Sequence, residues 1–194
     1  MRSSRLALLA PGAALAALAG AAFACGLEDP SSIATRRGVL NMAYPESLHV
    51  GTAVWQAQLA GRLPRDPLAQ RDDLTPQARA TLRLIKANAS LGQLALRMSS
   101  ASTAVARPNL AMVLLGPVLW TRFDAGGGAV RPSVHVTGPE AGDVIVVTEI
   151  AVVEAVARGE LGFGEALDLG VARLYGAPAD VAAVRRWLVD IAPG

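Results

Sequence analysis

The residues that could carry chemistry in this chain are few and far apart. The two histidines, His49 and His135, have no second metal ligand three or four positions away, so the sequence predicts no metal site. No G-x-S-x-G, H-E-x-x-H, C-x-x-C or phosphate-loop motif is present. Asp72, Asp73 and Glu149 would have to converge from separate elements to act as an acid–base pair, and we expect them on solvated faces. The sequence therefore predicts a protein that is not an enzyme and needs no cofactor.

Aromatic side chains make up only 4% of the chain, so the place of each large one is informative. Trp55, Trp120 and Phe163 are the predicted ligand-binding residues, because ligand pockets are mostly apolar with few polar groups. Packing in the core is the alternative for each of them, since large aromatics also dominate cores. We expect any ligand to lie between a helix that begins at Pro45 and a sheet of residues 110–148, near Trp55 and Trp120.

The only cysteine, Cys25, follows a segment typical of exported proteins. Residues 1–5 are positively charged, residues 6–24 are uncharged and rich in Ala and Leu, and AFA at 22–24 fits a signal-peptidase site. A retained membrane anchor is the alternative, although a Pro-Gly pair interrupts the apolar run. The sequence predicts a signal peptide over residues 1–24 and a location in the periplasm or cell envelope.

The four residues AFAC at 22–25 also resemble the lipobox of bacterial lipoproteins, in which the cysteine is lipidated. They depart from that pattern, which prefers Leu at the first place and a small residue where Phe23 stands. Lipidation would explain a lone cysteine in an oxidising compartment, where an exposed thiol forms mixed disulfides. A free periplasmic protein and a lipoprotein with membrane contact through Cys25 therefore both stay open.

The charge balance excludes one class of partner. The chain has 18 basic and 16 acidic residues, and the predicted signal peptide holds Arg2 and Arg5 but no acid, so the remainder is balanced at 16 each. A nucleic-acid-binding domain needs a clustered basic surface. The sequence predicts no nucleic-acid partner.

The elements that must position the aromatic residues begin with helices. Residues 25–43 show no sustained periodicity and are predicted to form a flexible tether. In the helical part, 44–106, the helix after Pro45 carries an apolar stripe at 48, 55 and 59. The next helix begins at the capping pair Thr75-Pro76 and carries a stripe at 82, 85, 89, 92 and 96.

From residue 107 to 194 the period becomes that of strands followed by short helices. Strands are predicted after Leu110, around Pro132 (which indicates an edge or a strand start) and at VIVVTE. A helix ended by Gly159, a further short helix, a strand at VARLYG and a closing helix behind Pro178 follow. The predicted fold class is α+β: an N-terminal helical pair, then a small, mostly antiparallel sheet covered by short helices, in one domain over 44–194.

The C-terminal spacing is similar to that of the sterol carrier protein 2 fold family of hydrophobic-ligand carriers. A G-x-L step, an alanine, a glycine and a strand that ends in glycine match Gly159, Leu161, Ala166, Gly170 and Gly176. The resemblance covers roughly residues 107–191. It implies an apolar cavity between sheet and helices, and no catalytic residues.

These observations support three hypotheses of different classes. The first is an exported, non-catalytic binding or accessory protein that holds a small apolar ligand or docks on a membrane-associated protein partner. The second is a structural or assembly factor for a membrane-associated complex, without a ligand, and the third is an exported enzyme with an unrecognised site. A closed apolar cavity would favour the first, an exposed apolar patch the second, and ionisable groups converging in a cleft the third.

Overall fold

The computed structural model describes residues 30–101, 107–126 and 128–191. The predicted signal peptide and the first five residues of the predicted tether, 25–29, which include Cys25, lie outside this part of the chain. The elements of the described part are the helices α1 (Pro30–Ala43), α2 (Ser47–Leu59), α3 (Pro76–Ser100), α4 (Ile150–Arg158), α5 (Phe163–Asp168) and α6 (Pro178–Val189), and the strands β1 (Leu110–Leu114), β2 (Leu119–Asp124), β3 (Arg131–Val136), β4 (Val144–Thr148) and β5 (Arg173–Tyr175). The predicted α+β class is confirmed. No helix among the described residues is both long and apolar enough to span a bilayer.

The five strands form one sheet in the order β3-β2-β1-β4-β5. β1 pairs in parallel with β4, and the other three pairings are antiparallel, as a mostly antiparallel sheet requires. The central strand β1 is buried along its whole length, which explains its unbroken run of apolar residues. Pro132 lies on β3 at the edge of the sheet, where a missing N–H donor costs no ladder hydrogen bond.

Local signals begin and end the helices where the sequence indicates. Thr75 caps α3 by accepting the Ala78 N–H at 3.1 Å, with Pro76 in the first turn. α4 ends at Gly159, which adopts a left-handed conformation with φ of 77° that a side chain would strain. α4 is buried from Ala151 to Ala157 and packs against α3.

The core joins the helices of both halves to the sheet. Trp187 on α6 is fully buried, and its Nε1–H donates to the carbonyl oxygen of Met98 on α3 at 3.2 Å. Phe163 is likewise buried at the start of α5. These contacts tie the closing helices to the long helix that precedes the sheet.

The structure differs from the predicted tether over residues 30–43, which form α1. Over residues 34–43 of this helix, Leu40 is the buried large apolar residue, whereas Val39 and Met42 are exposed. The other described contacts are polar: Arg36 and Arg37 reach the β1–β2 turn, and the Ser47 hydroxyl donates to Asn41 Oδ1 at 2.6 Å. A helix held in this way has no apolar stripe for the sequence to reveal.

The apolar stripes predicted for α2 and α3 face solvent instead of the core. On α2, Leu48, Trp55 and Leu59 are 62%, 60% and 55% exposed, and the buried positions are Ser47, Val50, Val54 and Ala57. On α3 the large residues of the stripe, at 82, 85 and 96, are exposed, and the buried positions include Ala87, Leu91, Leu94 and Met98. Both helices are apolar on two sides, so periodicity alone could not identify the buried one.

A cavity with an apolar wall and a charged mouth

A cavity of about 770 Å³ lies between the helices α2 and α3 and one end of the sheet. Its other walls are the β1–β2 turn, the end of β3 and the beginning of α4. This volume falls within the range of small-molecule sites, roughly 300–1,000 Å³. The apolar residues that line it include Val54, Trp55, Leu84, Ala87, Val118, Leu119, Trp120, Val136, Ile150 and Ala151.

Trp55 and Trp120 both line this cavity, and Phe163 does not. Trp120 is buried in β2, and Tyr44 packs against it with the ring centroids 6.2 Å apart. Trp55 is exposed on α2, at the mouth. The location agrees with the region predicted between the helix after Pro45 and the sheet, and the binding role of these residues stays a prediction. Phe163, the first residue of α5, is buried in the core, which was the alternative considered for it.

A shallower groove of about 470 Å³ continues from the cavity over the surface. Four residues line both spaces: Arg37, Gly51, Trp55 and Glu149. The groove passes between α1, which supplies Asn41, and the outer side of α2, which supplies Leu48 and Thr52. The cavity therefore opens toward the exposed apolar stripe of α2.

A strained turn forms part of the cavity wall. Val118, in the turn between β1 and β2, has a φ of 50°, a left-handed conformation that is costly for a β-branched residue. Arg36 donates to the Val118 carbonyl at 3.0 Å, and Arg37 donates to the carbonyls of Leu115, at 3.2 Å, and of Gly116. The two arginines of α1 thus hold a turn that would otherwise relax.

Glu149 also binds this turn, and we refer to Arg36, Arg37 and Glu149 together as the clamp. Its Oε2 accepts the Gly116 N–H at 3.1 Å, and a Cβ at Gly116 would stand 3.2 Å from the same oxygen, so a glycine suits this position. Burial raises the pKa of the Glu149 carboxyl, and this outweighs the opposing effects of the Gly116 and Ile150 amides and of Arg37. Glu149, which we expected on a solvated face, is partly buried where it lines the cavity and the groove.

Cations outnumber acids around the cavity. The charged residues that line it are Arg36, Arg37, Arg65, Arg83 and Lys86 against Asp66, Glu149 and Glu154. Lys86 pairs with the buried Glu154 at 2.9 Å, and Arg83 pairs with Asp66 at 2.7 Å. Arg36 and Arg37 donate to backbone carbonyls of the β1–β2 turn, and the cations that line the cavity outnumber its acids by five to three.

The histidines do not come together in this fold. His135 lines the cavity at the irregular end of β3, where its φ is 65°, and His49 is exposed on α2. Among the residues described, no cluster of three or more His, Cys, Asp or Glu side chains could hold a metal ion. Asp73 lies on the surface beside Arg71, away from Glu149.

The sequence gives little sign of the residues that build the clamp. Arg36 and Arg37 fall in the segment predicted to be a tether, and nothing in their spacing points to a turn about 80 positions away. Gly116-Pro117 does predict a bend between strands, but not the strain at Val118.

No protein-family model and no curated protein matches the sequence. The crystal structure of sterol carrier protein 2 is similar to part of the chain, with 22% identity over 55% of this chain and 93% of that chain and a TM-score of 0.36. The solution structure of a conserved hypothetical protein from Thermus thermophilus, named as a candidate sterol carrier protein, has 20% identity over 56% of this chain and 82% of that chain and a TM-score of 0.30. Both similarities extend over little more than half of this chain.

Proposed function

We propose that this protein binds a small apolar ligand in the cavity between α2–α3 and the sheet, without chemical change to the ligand. The observation that carries the proposal is the cavity itself: about 770 Å³, with an apolar wall formed by residues such as Leu84, Trp120 and Ile150. Small-molecule sites are concave and mostly apolar, with a few polar groups that orient the ligand. A ligand of matching shape would remove the apolar wall from water and gain packing contacts with it.

The charges at the mouth suit a ligand with one polar end. Glu154 is buried and already neutralised by Lys86, so it demands no cation from a ligand. Arg37 lines the cavity and the groove beside Trp55, and the cations that line the cavity outnumber its acids by five to three. The apolar wall would supply most of the affinity, and the mouth would orient the ligand.

Export and anchoring belong to the same proposal. A signal peptide over residues 1–24, with Cys25 as the mature N-terminus, would place the carrier in the cell envelope. The intact mass of protein purified from its own host should show loss of residues 1–24, and added acyl mass would identify a lipoprotein. A mature protein that retains residues 6–18 would contradict this part.

A second candidate, an assembly factor without a ligand, is favoured by the exposed apolar stripes of α2 and α3. The carrier should hold a ligand in the cavity and the assembly factor should not, so ligand binding is the property to measure.

The experiment compares two glycines within helices, one that lines the cavity and one that does not. Gly51 on α2 lines the cavity, Gly92 on α3 does not, and a Cβ at either position would meet nothing within 4 Å. Leucine at either site should favour its helix by a similar amount, about 1 kcal/mol over glycine. We expect the delipidated wild type and Gly92→Leu to bind a fluorescent fatty-acid or sterol probe equally, and Gly51→Leu to bind it about tenfold more weakly.

Two results would contradict the carrier proposal. A delipidated wild type that binds no such probe would leave the cavity without a role and favour the assembly factor. Equal probe affinity in Gly51→Leu, Gly92→Leu and the wild type would place the probe outside this cavity.

A further inference from the structure

We infer that the outer face of α2 is a docking surface for an anionic lipid bilayer. The face consists of Leu48, Thr52, Trp55 and Leu59, which recur every three or four residues and so share one side of the helix. The three apolar members are each more than half exposed. A stripe of large apolar side chains held in water on one helix marks an interaction site.

The composition of the face fits an interface between lipid and water. Tryptophan and leucine are the residues that peripheral helices place at this depth, and Trp55 is the largest side chain of the stripe. A polar threonine among them is tolerated at the level of the headgroups. The remaining residues of α2 include no acid that the headgroups would repel.

The charges around the face select anionic lipid. Arg37 lines the groove beside Leu48 and Trp55, and Arg62 and Arg65 stand in the connector three and six positions after the end of α2. Glu46, which precedes the helix, is paired with Arg173 at 3.0 Å. Glu149, the acid of the groove, is held inward by the Gly116 N–H. Cations close to the surface are attracted by the negative potential of anionic headgroups.

The chain before α1 brings this face close to any membrane that holds the N-terminus. Only residues 25–29 separate the uncharged segment 6–24 from Pro30, and five extended residues span at most about 17 Å. α1 in turn is attached to α2 through the hydrogen bond between Ser47 and Asn41. An anchor in segment 6–24 or on Cys25 would therefore leave α2 within reach of the bilayer surface.

A second copy of this chain fits the face less well. Two copies related by a twofold axis would place two surfaces with the same basic residues against each other. A bilayer meets the same cations with opposite charge. Because the groove joins the face to the cavity through Gly51 and Trp55, a docked protein would hold its cavity mouth against lipid.

The test measures where Trp55 lies when the full chain meets vesicles. Brominated phosphatidylcholine quenches tryptophan on contact, and the other two tryptophans, Trp120 and Trp187, are buried. We expect brominated vesicles that contain phosphatidylglycerol to quench the emission of the wild type, and vesicles without phosphatidylglycerol to quench it much less. The quenching should be lost in Trp55→Phe.

The matched variants exchange one exposed leucine for glutamate on each of two helices. Leu48→Glu adds a charge to the face without touching the cavity, and we expect it to lose most of the quenching. Leu96→Glu changes a leucine that is at least as exposed but lies on α3, and it should be quenched like the wild type.

Three results would overturn the inference. Absence of quenching would do so, as would quenching that Leu48→Glu leaves intact. Quenching that persists in Trp55→Phe would report lipid beside Trp120, which supports the cavity as a lipid site and removes the docking face. Failure of the docking face and failure of the proposed function are therefore distinguishable, since probe binding by the Gly51 and Gly92 variants needs no vesicle.

Discussion

Two regions of the molecule differ in the burial of their large apolar side chains. The sheet with its covering helices, residues 110–191, buries most of them, whereas the helical region of α1–α3 exposes many. In the first region the large apolar residues are inside: β1 is buried throughout, α4 over most of its length, and Trp187 completely. In the second region some large ones, such as Leu91 and Met98, are inside, but others, such as Trp55 and Leu96, are outside. The first region is built as a core, and the second as a wall with two apolar sides.

The difference also explains why a cavity exists. The side of α2 that faces the protein carries serine, valine and alanine, which leave more space than leucine or tryptophan would. The large side chains of that helix point away, so the space between the wall and the sheet stays open. A helix that served only to cover the sheet would bury its largest residues.

The two tryptophans on helices give the sharpest contrast between the regions. Trp187→Ala should lower the free energy of unfolding by about 3–5 kcal/mol, because it removes a fully buried indole and its hydrogen bond to Met98. Trp55→Ala should change it by no more than about 0.5 kcal/mol, since the side chain is 60% exposed, while it weakens probe binding. Urea unfolding of both variants measures these changes in the free energy of unfolding. Equal changes in the two variants would contradict the contrast between the two regions.

How much of this could be predicted depends on the region. The burial of β1, β2, β4 and α4 follows from unbroken apolar runs and from signals such as Gly159, which allow one arrangement. In α2 the residues at 48, 55 and 59 and those at 50, 54 and 57 both make apolar stripes, and sequence alone favoured the larger residues. The predicted region near Trp55 and Trp120 contains the cavity, whereas the contacts of Arg36, Arg37 and Glu149 join distant segments and could not be predicted.

The attachment of α1 offers the next largest effect. Leu40→Ala should cost about 2 kcal/mol, at the low end for a buried leucine, because the site lies at the edge of the core. Met42→Ala, on the same helix but 84% exposed, serves as the control and should be neutral within about 0.5 kcal/mol. Hydrogen exchange should show α1 opening in Leu40→Ala before the sheet does. If the sheet opened together with α1, the helix would belong to the core and the contrast would be lost.

The clamp at Glu149 predicts a dependence of stability on pH. Burial raises the pKa of Glu149 in the folded protein. The contribution of this group to the free energy of unfolding is therefore complete below the ordinary pKa of a glutamate, and it is lost as the pH rises through the raised pKa. Glu149→Gln keeps an oxygen for the Gly116 N–H and removes the titration, so its stability should vary less with pH in that window. Thermal unfolding of both proteins across the window measures the effect, and parallel curves would contradict it.

The smallest effect is expected at the surface pair of Asp73 and Arg71. Hydrogen bonds from Arg71, at 2.7 and 2.6 Å, lower the pKa of Asp73 to about 2, so any contribution to stability is lost only as the pH falls to that value. Both side chains are exposed, and exposed ion pairs contribute little. Asp73→Asn should therefore leave the unfolding midpoint at neutral pH unchanged, and a clear shift would show that this loop supports α3.

The three indole N–H signals of the protein, from Trp55, Trp120 and Trp187, test the central claim most directly. Two of these residues line the cavity, and the third lies in the core on the hydrogen bond to Met98. Titration of the delipidated, ¹⁵N-labelled protein with a fatty-acid or sterol probe, followed by NMR, reports on all three at once. A ligand in the cavity should shift the signals of Trp55 and Trp120 and leave that of Trp187 in place. A titration to saturation that moves none of the three, or only Trp187, would contradict the account.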